Sequence, residues 1–266
     1  MKLIDFDEKF SVFILDWVKA HEESYKNYDD MEDDIPHIYQ HFVSSPKDYL
    51  DGQSPREFFS KFEDFDSIIK LVRSYIEHET SIPDLLIERL YEVASDFELE
   101  RLIGDENQEI AMLAIDALRG RGSLAALDKY LELALDENTD SAVFDSVIES
   151  LDEIGEASYD RLMLNLPFAN DRAKLGFISI LSKQKGNETL FKEALSLFVK
   201  RRDFAQELSS YISRLGDERA LPLLIERAGD SSTGYIDYIE LRNAIESLGG
   251  EAPEREFDEN QEYLED

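Results

Sequence analysis

The sequence contains no cysteine, which excludes disulfides, thiolate metal sites and cysteine nucleophiles and gives the chain no use for an oxidising compartment. Cations are scarce. The 28 Lys+Arg stand against 60 Asp+Glu, a formal net charge of −32 at pH 7, and a surface of that sign repels the phosphate backbones that proteins normally grip with Lys and Arg. No apolar run approaches the ~20 residues of a membrane-spanning helix. At the start, Met1-Lys2-Leu3-Ile4-Asp5-Phe6-Asp7-Glu8 puts acids where a secretory leader needs a basic and then an apolar stretch. The expectation is a soluble, cytoplasmic protein that does not bind nucleic acid directly. With only 12 Gly and 7 Pro among 266 residues and 42% hydrophobic residues, the composition points to helices around a sizeable core.

What the chain does have is a repeat. Glycines stand at Gly122, Gly155, Gly186, Gly216 and Gly249, at spacings of 33, 31, 30 and 33 residues, a period that suits two short helices and two turns. Four residues before them are Leu118, Leu151, Ile212 and Ile245, joined by Leu181 if the third copy carries one inserted residue. With that shift, eight residues before the glycine read Ala114, Val147, Phe177, Leu208 and Leu241. Two apolar columns one helical turn apart define a single buried stripe. The intervening columns, Asp116, Glu149, Ser179, Ser210, Asn243 and Arg119, Asp152, Ser182, Ser213, Glu246, are polar and predict the opposite face. A glycine after the last turn supplies the left-handed residue that closes a helix.

Between these second helices lie predicted first helices with stripes Leu124, Leu127, Leu131, Leu135; Tyr159, Leu162, Met163, Leu166; Leu190, Ala194, Leu197, Phe198; and Leu221, Leu224, Ile225, Ala228. Polar turns such as Asp136-Glu137-Asn138-Thr139-Asp140 and Asn170-Asp171 join the pairs and provide N-caps. On Leu99-Glu100-Arg101-Leu102-Ile103-Gly104-Asp105-Glu106-Asn107 with Ala114-Ile115-Asp116-Ala117-Leu118, and on Leu215-Gly216-Asp217-Glu218-Arg219-Ala220-Leu221-Pro222-Leu223-Leu224, the chain resembles the HEAT-repeat family, in particular its bacterial phycobilisome-lyase-like subtype. The resemblance covers residues 66–250. It implies an all-α, right-handed α-α superhelix, an armadillo-like solenoid of about six helical pairs. Because this repeat serves adaptors, inhibitors, lyases and a few enzymes, it says little about activity.

Residues 1–65 lack the period. They are rich in Phe10, Phe13, Trp17, Phe42, Phe58, Phe59 and Phe62 and carry two helix-start signals, Ser45-Pro46-Lys47-Asp48 and Ser54-Pro55-Arg56-Glu57. They read as a helical cap over the end of the array. Residues 251–266, with Phe257, Tyr263 and Leu264 among eight acids, read as an acidic, mobile tail.

Candidate chemistry is sparse. His37 and His41 sit one helical turn apart, as in a zincin, but Ile38 occupies the place of the general-base glutamate. His21-Glu22 and His78-Glu79 resemble the His-Glu pairs of HEAT-type deoxyhypusine hydroxylases without recurring at equivalent positions. Asp136, Asn138 and Asp140 begin like a calcium loop, yet Ser141 and Val147 stand where glycine and the bidentate acid belong. Lys200-Arg201-Arg202, the only basic cluster, falls at a helix end where cations meet the last carbonyls. The leading expectation is therefore a non-catalytic protein-protein interaction scaffold or adaptor without cofactors, recognising a protein with a basic or polar surface. Its binding residues would be Asp116, Glu149, Ser179, Ser210 and Asn243, with Glu207 and Glu240 beside them, along a concave groove that the family resemblance implies. The alternatives are an acidic decoy or inhibitor of a nucleic-acid-binding protein, and a metal-dependent enzyme or lyase-type HEAT protein.

Overall fold

The computed structural model describes residues 3–21, 23, 25 and 28–257. Its regular structure there is all helical, apart from one isolated bridge between Lys47 and Gln53. The chain divides into two compact units, Met1–Ala117 and Leu118–Asp266.

The N-terminal unit holds α1 (Phe6–Ala20), α2 (Tyr28–Ser44), α3 (Pro55–Ser60), α4 (Phe65–Glu77), α5 (Asp84–Val93), α6 (Asp96–Leu102) and most of α7 (Gln108–Gly120). Polar side chains start these helices by accepting the first orphan N–H groups. Asp5 caps α1, Asp64 caps α4, and Ser54-Glu57 and Ser95-Glu98 form reciprocal capping boxes on α3 and α6. The other Ser-Pro signal behaves differently. After Ser45-Pro46 the chain makes only a 3-10 turn over Asp48–Leu50, because Asp51 and Gly52 adopt left-handed backbone (φ 56° and 81°) and fold Gln53 back onto Lys47. Around α1 to α3 the packing is aromatic: Phe6 packs on Phe58, Phe59 and Tyr49, and Phe10 and Phe13 pack on Phe42, whereas α4 to α6 bury Ile68, Val72, Leu86, Leu90 and Leu99.

Among its described residues the C-terminal unit holds four helix pairs: α8 (Leu127–Leu135) with α9 (Ser141–Ile154), α10 (Glu156–Asn165) with α11 (Asp171–Leu181), α12 (Glu188–Lys200) with α13 (Ala205–Leu215), and α14 (Leu221–Gly229) with α15 (Tyr235–Ser247). The second helices α9, α11, α13 and α15 also pack each on the next. Both apolar columns are fully buried: Ala114, Val147, Phe177, Leu208, Leu241 and Leu118, Leu151, Leu181, Ile212, Ile245 are all 0% exposed. Each large side chain among them stabilises by ~1.5–3 kcal/mol, so the columns dominate cohesion. All five repeat glycines have positive φ, between 60° and 82°. At Gly176 the reason for glycine is proximity, since a Cβ there would lie 2.6 Å from Ile148 Cδ1 on α9.

Several details depart from the sequence expectations. Leu124 and Ile225 are exposed, Leu124 because α8 starts only at Leu127. Gly186 does not close α11, which ends at Leu181 on a right-handed Ser182. Ser182, in the second polar column, is buried and turns its hydroxyl to the Ser179 carbonyl at 3.0 Å, a bond that removes its need for water. Residues 251–257, assigned to the mobile tail, instead lie along α14 and α15. Tyr238 donates to the Pro253 carbonyl at 2.9 Å, Arg255 donates to the carbonyls of Ala228 and Thr233, and Phe257 packs on Tyr235 and Tyr238. Tyr263 and Leu264 lie outside the described residues.

Candidate functional site

The helical period that buries the apolar columns turns the first polar column outward. Glu149 and Glu207 are exposed on α9 and α13, Asn243 is exposed on α15, and Ser179, Ser210 and Glu240 are half-buried on α11, α13 and α15. Asp116, half-buried on α7, belongs to the N-terminal unit. The other six lie on α9, α11, α13 and α15, second helices that pack consecutively.

That face is less purely acidic than its sequence column. Arg119 donates to Glu149 at 2.6 Å. Arg214 donates to the Ser210 hydroxyl at 3.3 Å and stacks over the Tyr211 ring at 4.9 Å. Burial pushes the Tyr211 phenol above its ordinary value; Glu207 adds to the shift, while Arg214 and the Ser179 hydroxyl oppose it. The Ser179 hydroxyl itself donates to the Gly176 carbonyl at 2.7 Å. Tyr211 and Arg214 thus join the candidate site, although no repeat column marked them. Arg214 stands four residues after Ser210 and three after Tyr211, spacings at which a helix brings side chains together.

Several of the scarce cations bridge residues about one repeat apart, while others, such as Lys129 with Glu132 and Arg242 with Glu246, pair within one helix. Arg119 meets Glu149 across 30 residues, Lys183 meets Asp152 across 31, Lys200 and Arg201 meet Asp171 across 29 and 30, Arg202 meets Asp230 across 28, and Arg219 meets Glu188 across 31. Arg172 and Arg227 make the same span to the carbonyls of Thr139 and Phe198. These partners hold the carboxyls of Asp171 and Glu188 below their usual range, chiefly through Lys200 and Arg219 respectively. The Asp230 carboxyl is lowered to about 2 by the Ser232 backbone and hydroxyl, with Arg202 adding to it. Exposed pairs of this kind contribute little stability each. Their periodicity places the signal in the sequence, because a base and an acid one repeat apart come to adjacent helices.

Two of the histidines pack against rings. His41 faces the rings of Trp17 and Phe13, His21 stacks on Trp17 at 4.2 Å, and exposed His37 stands 3.7 Å from Asp34. Among the described residues no three His, Cys, Asp or Glu side chains gather as a metal site.

Compared with protein-family models and with curated proteins, the chain matches none. The resemblance to HEAT repeats therefore rests on the repeat itself.

Proposed function

We propose that this chain is a non-catalytic interaction scaffold of HEAT-like, right-handed superhelical build, whose second helices offer an acidic and polar face to a protein with a basic surface. One observation carries the reading: exposed or half-buried polar residues recur at the same repeat positions of α9, α11, α13 and α15 while the apolar columns beside them are completely buried. Such a row holds its side chains on rigid helices and suits an extended or helical ligand. The charge of −32 supplies a field that steers basic partners and weakens as salt shortens the Debye length from ~10 Å at 0.1 M to ~3 Å at 1 M.

The test captures partners on the immobilised chain at low salt and elutes them with rising salt. Rebinding is then measured to a variant with Asp116, Glu149, Glu207 and Glu240 all replaced by Ser. The variant is expected to keep its melting temperature and to lose partner affinity at about 0.15 M salt. Parent-like rebinding overturns the reading. Release of the partner by competing DNA identifies the decoy alternative instead.

A further inference from the structure

Helix α1 is apolar on two sides. Phe6, Phe10, Phe13 and Trp17 face α2 and α3, where they meet Phe59, Phe42 and His41. On the opposite side, the helical period gathers Glu8, Val12, Leu15 and Lys19 within about 60° of one another. All four are exposed, Val12 by 54% and Leu15 by 62%. A helix whose other side fills the core ordinarily turns charged and polar residues outward. Here two large aliphatic side chains, one turn apart, form a ridge at the centre of the outer face.

The charges around that ridge are ordered. Glu8 precedes Val12 by four residues and Lys19 follows Leu15 by four, so the row runs acid, aliphatic, aliphatic, base. Its centre falls midway between Phe13 and Ile14. A two-fold axis through that point, perpendicular to the helix, lays a second copy of α1 antiparallel on the first. Val12 then faces Leu15 of the second copy and Glu8 faces its Lys19, each about 8 Å from the axis at a rise of about 1.5 Å per residue. Such a contact is isologous, and it encloses four aliphatic side chains between two ion pairs. A parallel arrangement would instead set like charges together at both ends. Among the described residues Lys19 has no ion-pair partner. Glu8 lies 3.5 Å from Lys9, its neighbour in sequence, and that exposed pair costs little to exchange.

We infer that α1 pairs antiparallel with α1 of a second copy of this chain, through Val12 and Leu15, with Glu8 and Lys19 closing both ends. The ridge is small beside the roughly 1,200–2,000 Å² of a stable complex, and two chains of charge −32 repel each other. The dimer is therefore weak, formed where chains are concentrated.

Sedimentation equilibrium of the full chain, from micromolar to millimolar concentration at about 0.15 M salt, measures it. The parent is expected to show a reversible monomer–dimer equilibrium, and Leu15→Ser to abolish it. Lys19→Glu and Glu8→Lys each turn two attractions into repulsions and should each weaken dimerisation about tenfold. The first raises the net negative charge and the second lowers it, so an association governed by overall charge alone would respond to them in opposite senses. Combining them swaps the pair and should restore the parent affinity to within about twofold. Within one copy Glu8 and Lys19 stand about 16 Å apart along the helix, so rescue requires two copies. All three positions are exposed, and every variant is expected to melt close to the parent. A parent that stays monomeric throughout, or single reversals that the swap does not rescue, overturns the inference. A dimer indifferent to all of these substitutions also overturns it and places self-association on another face.

Discussion

Around α1 to α3 of the N-terminal unit, rings at irregular sequence positions meet, Phe6 with Phe59 and Phe10 with Tyr39, beside an aliphatic core on α4 to α6. In the C-terminal unit apolar columns recur at a fixed period, with ion pairs spanning that same period at the surface. The two solutions distribute risk differently. A ring cluster concentrates burial in a few large side chains, so losing one leaves a large cavity. A column divides cohesion among near-equivalent steps, each of which contacts mainly its neighbours.

The largest effects should come from cutting into each core. Phe59→Ala should cost ~3–5 kcal/mol and Leu151→Ala ~2–5 kcal/mol, since both side chains are all but fully buried. Asp152→Ala, one residue along, should cost far less, because it removes an exposed pair with Lys183. Denaturant unfolding followed by Trp17 fluorescence for the first variant and by helicity for the others measures these values. Equal losses at Leu151 and Asp152 would break the column register.

Ending the chain after Gly250 should come next, at about 1–2 kcal/mol, because it removes the half-buried Phe257 together with the carbonyl bonds of Arg255. Ending it after Phe257 should leave the melting temperature close to that of the parent. If both truncations melt alike, residues 251–257 do not close the array.

Alkali tests the buried phenols of the N-terminal unit. Burial is the main cause that pushes the phenols of Tyr39 and Tyr75, both in the N-terminal unit, from 10.0 up to about 12. The folded chain thus favours the neutral phenol. The stability this brings is complete below pH 10 and is lost as the pH climbs towards 12. Stability measured from pH 9 to 12 should fall along that window, and Tyr39→Phe should flatten the decline. An unchanged slope in the variant would remove Tyr39 as its source.

The smallest effect belongs to the surface pairs. Arg219→Ala removes the bridge to Glu188, both side chains being more than half exposed, and should lower the melting temperature only slightly, less still in high salt. A large loss would mean that these bridges, rather than the columns, hold the helices together.

Much of the C-terminal unit is legible in the sequence because its packing is periodic, so five glycines and two apolar columns suffice to locate the second helices and their buried stripe. The polar column is legible as a face but not as a charge pattern. Arg119 on Glu149 and Arg214 on Ser210 arise from neighbouring helices and turns that a single column does not contain. The N-terminal unit offers caps but no partners, since nothing in the spacing of Phe6 and Phe59 announces that they touch. The Ser45-Pro46 signal misleads because a helix start needs room to propagate, and left-handed Asp51 and Gly52 end the turn before a helix can grow. The run after Gly250 looks unstructured in the sequence because its anchors are one arginine and one phenylalanine using carbonyls and rings already exposed by α14 and α15.

Gly216 closes α13 at φ 71° and ψ 25°, the mirror image of ordinary helical backbone. In stereochemical terms, the chain there adopts the conformation native to an amino acid of the opposite hand. A semisynthetic chain with D-alanine at this position would keep the turn while losing freedom only in the unfolded state, which is worth ~0.4–1 kcal/mol of added stability, whereas L-alanine would be strained at the same place. The repeat can thus be followed by chirality as well as by hydrophobicity, because the backbone turns to positive φ after each second helix, directly at Gly155 and Gly216 and a few residues on at Gly186.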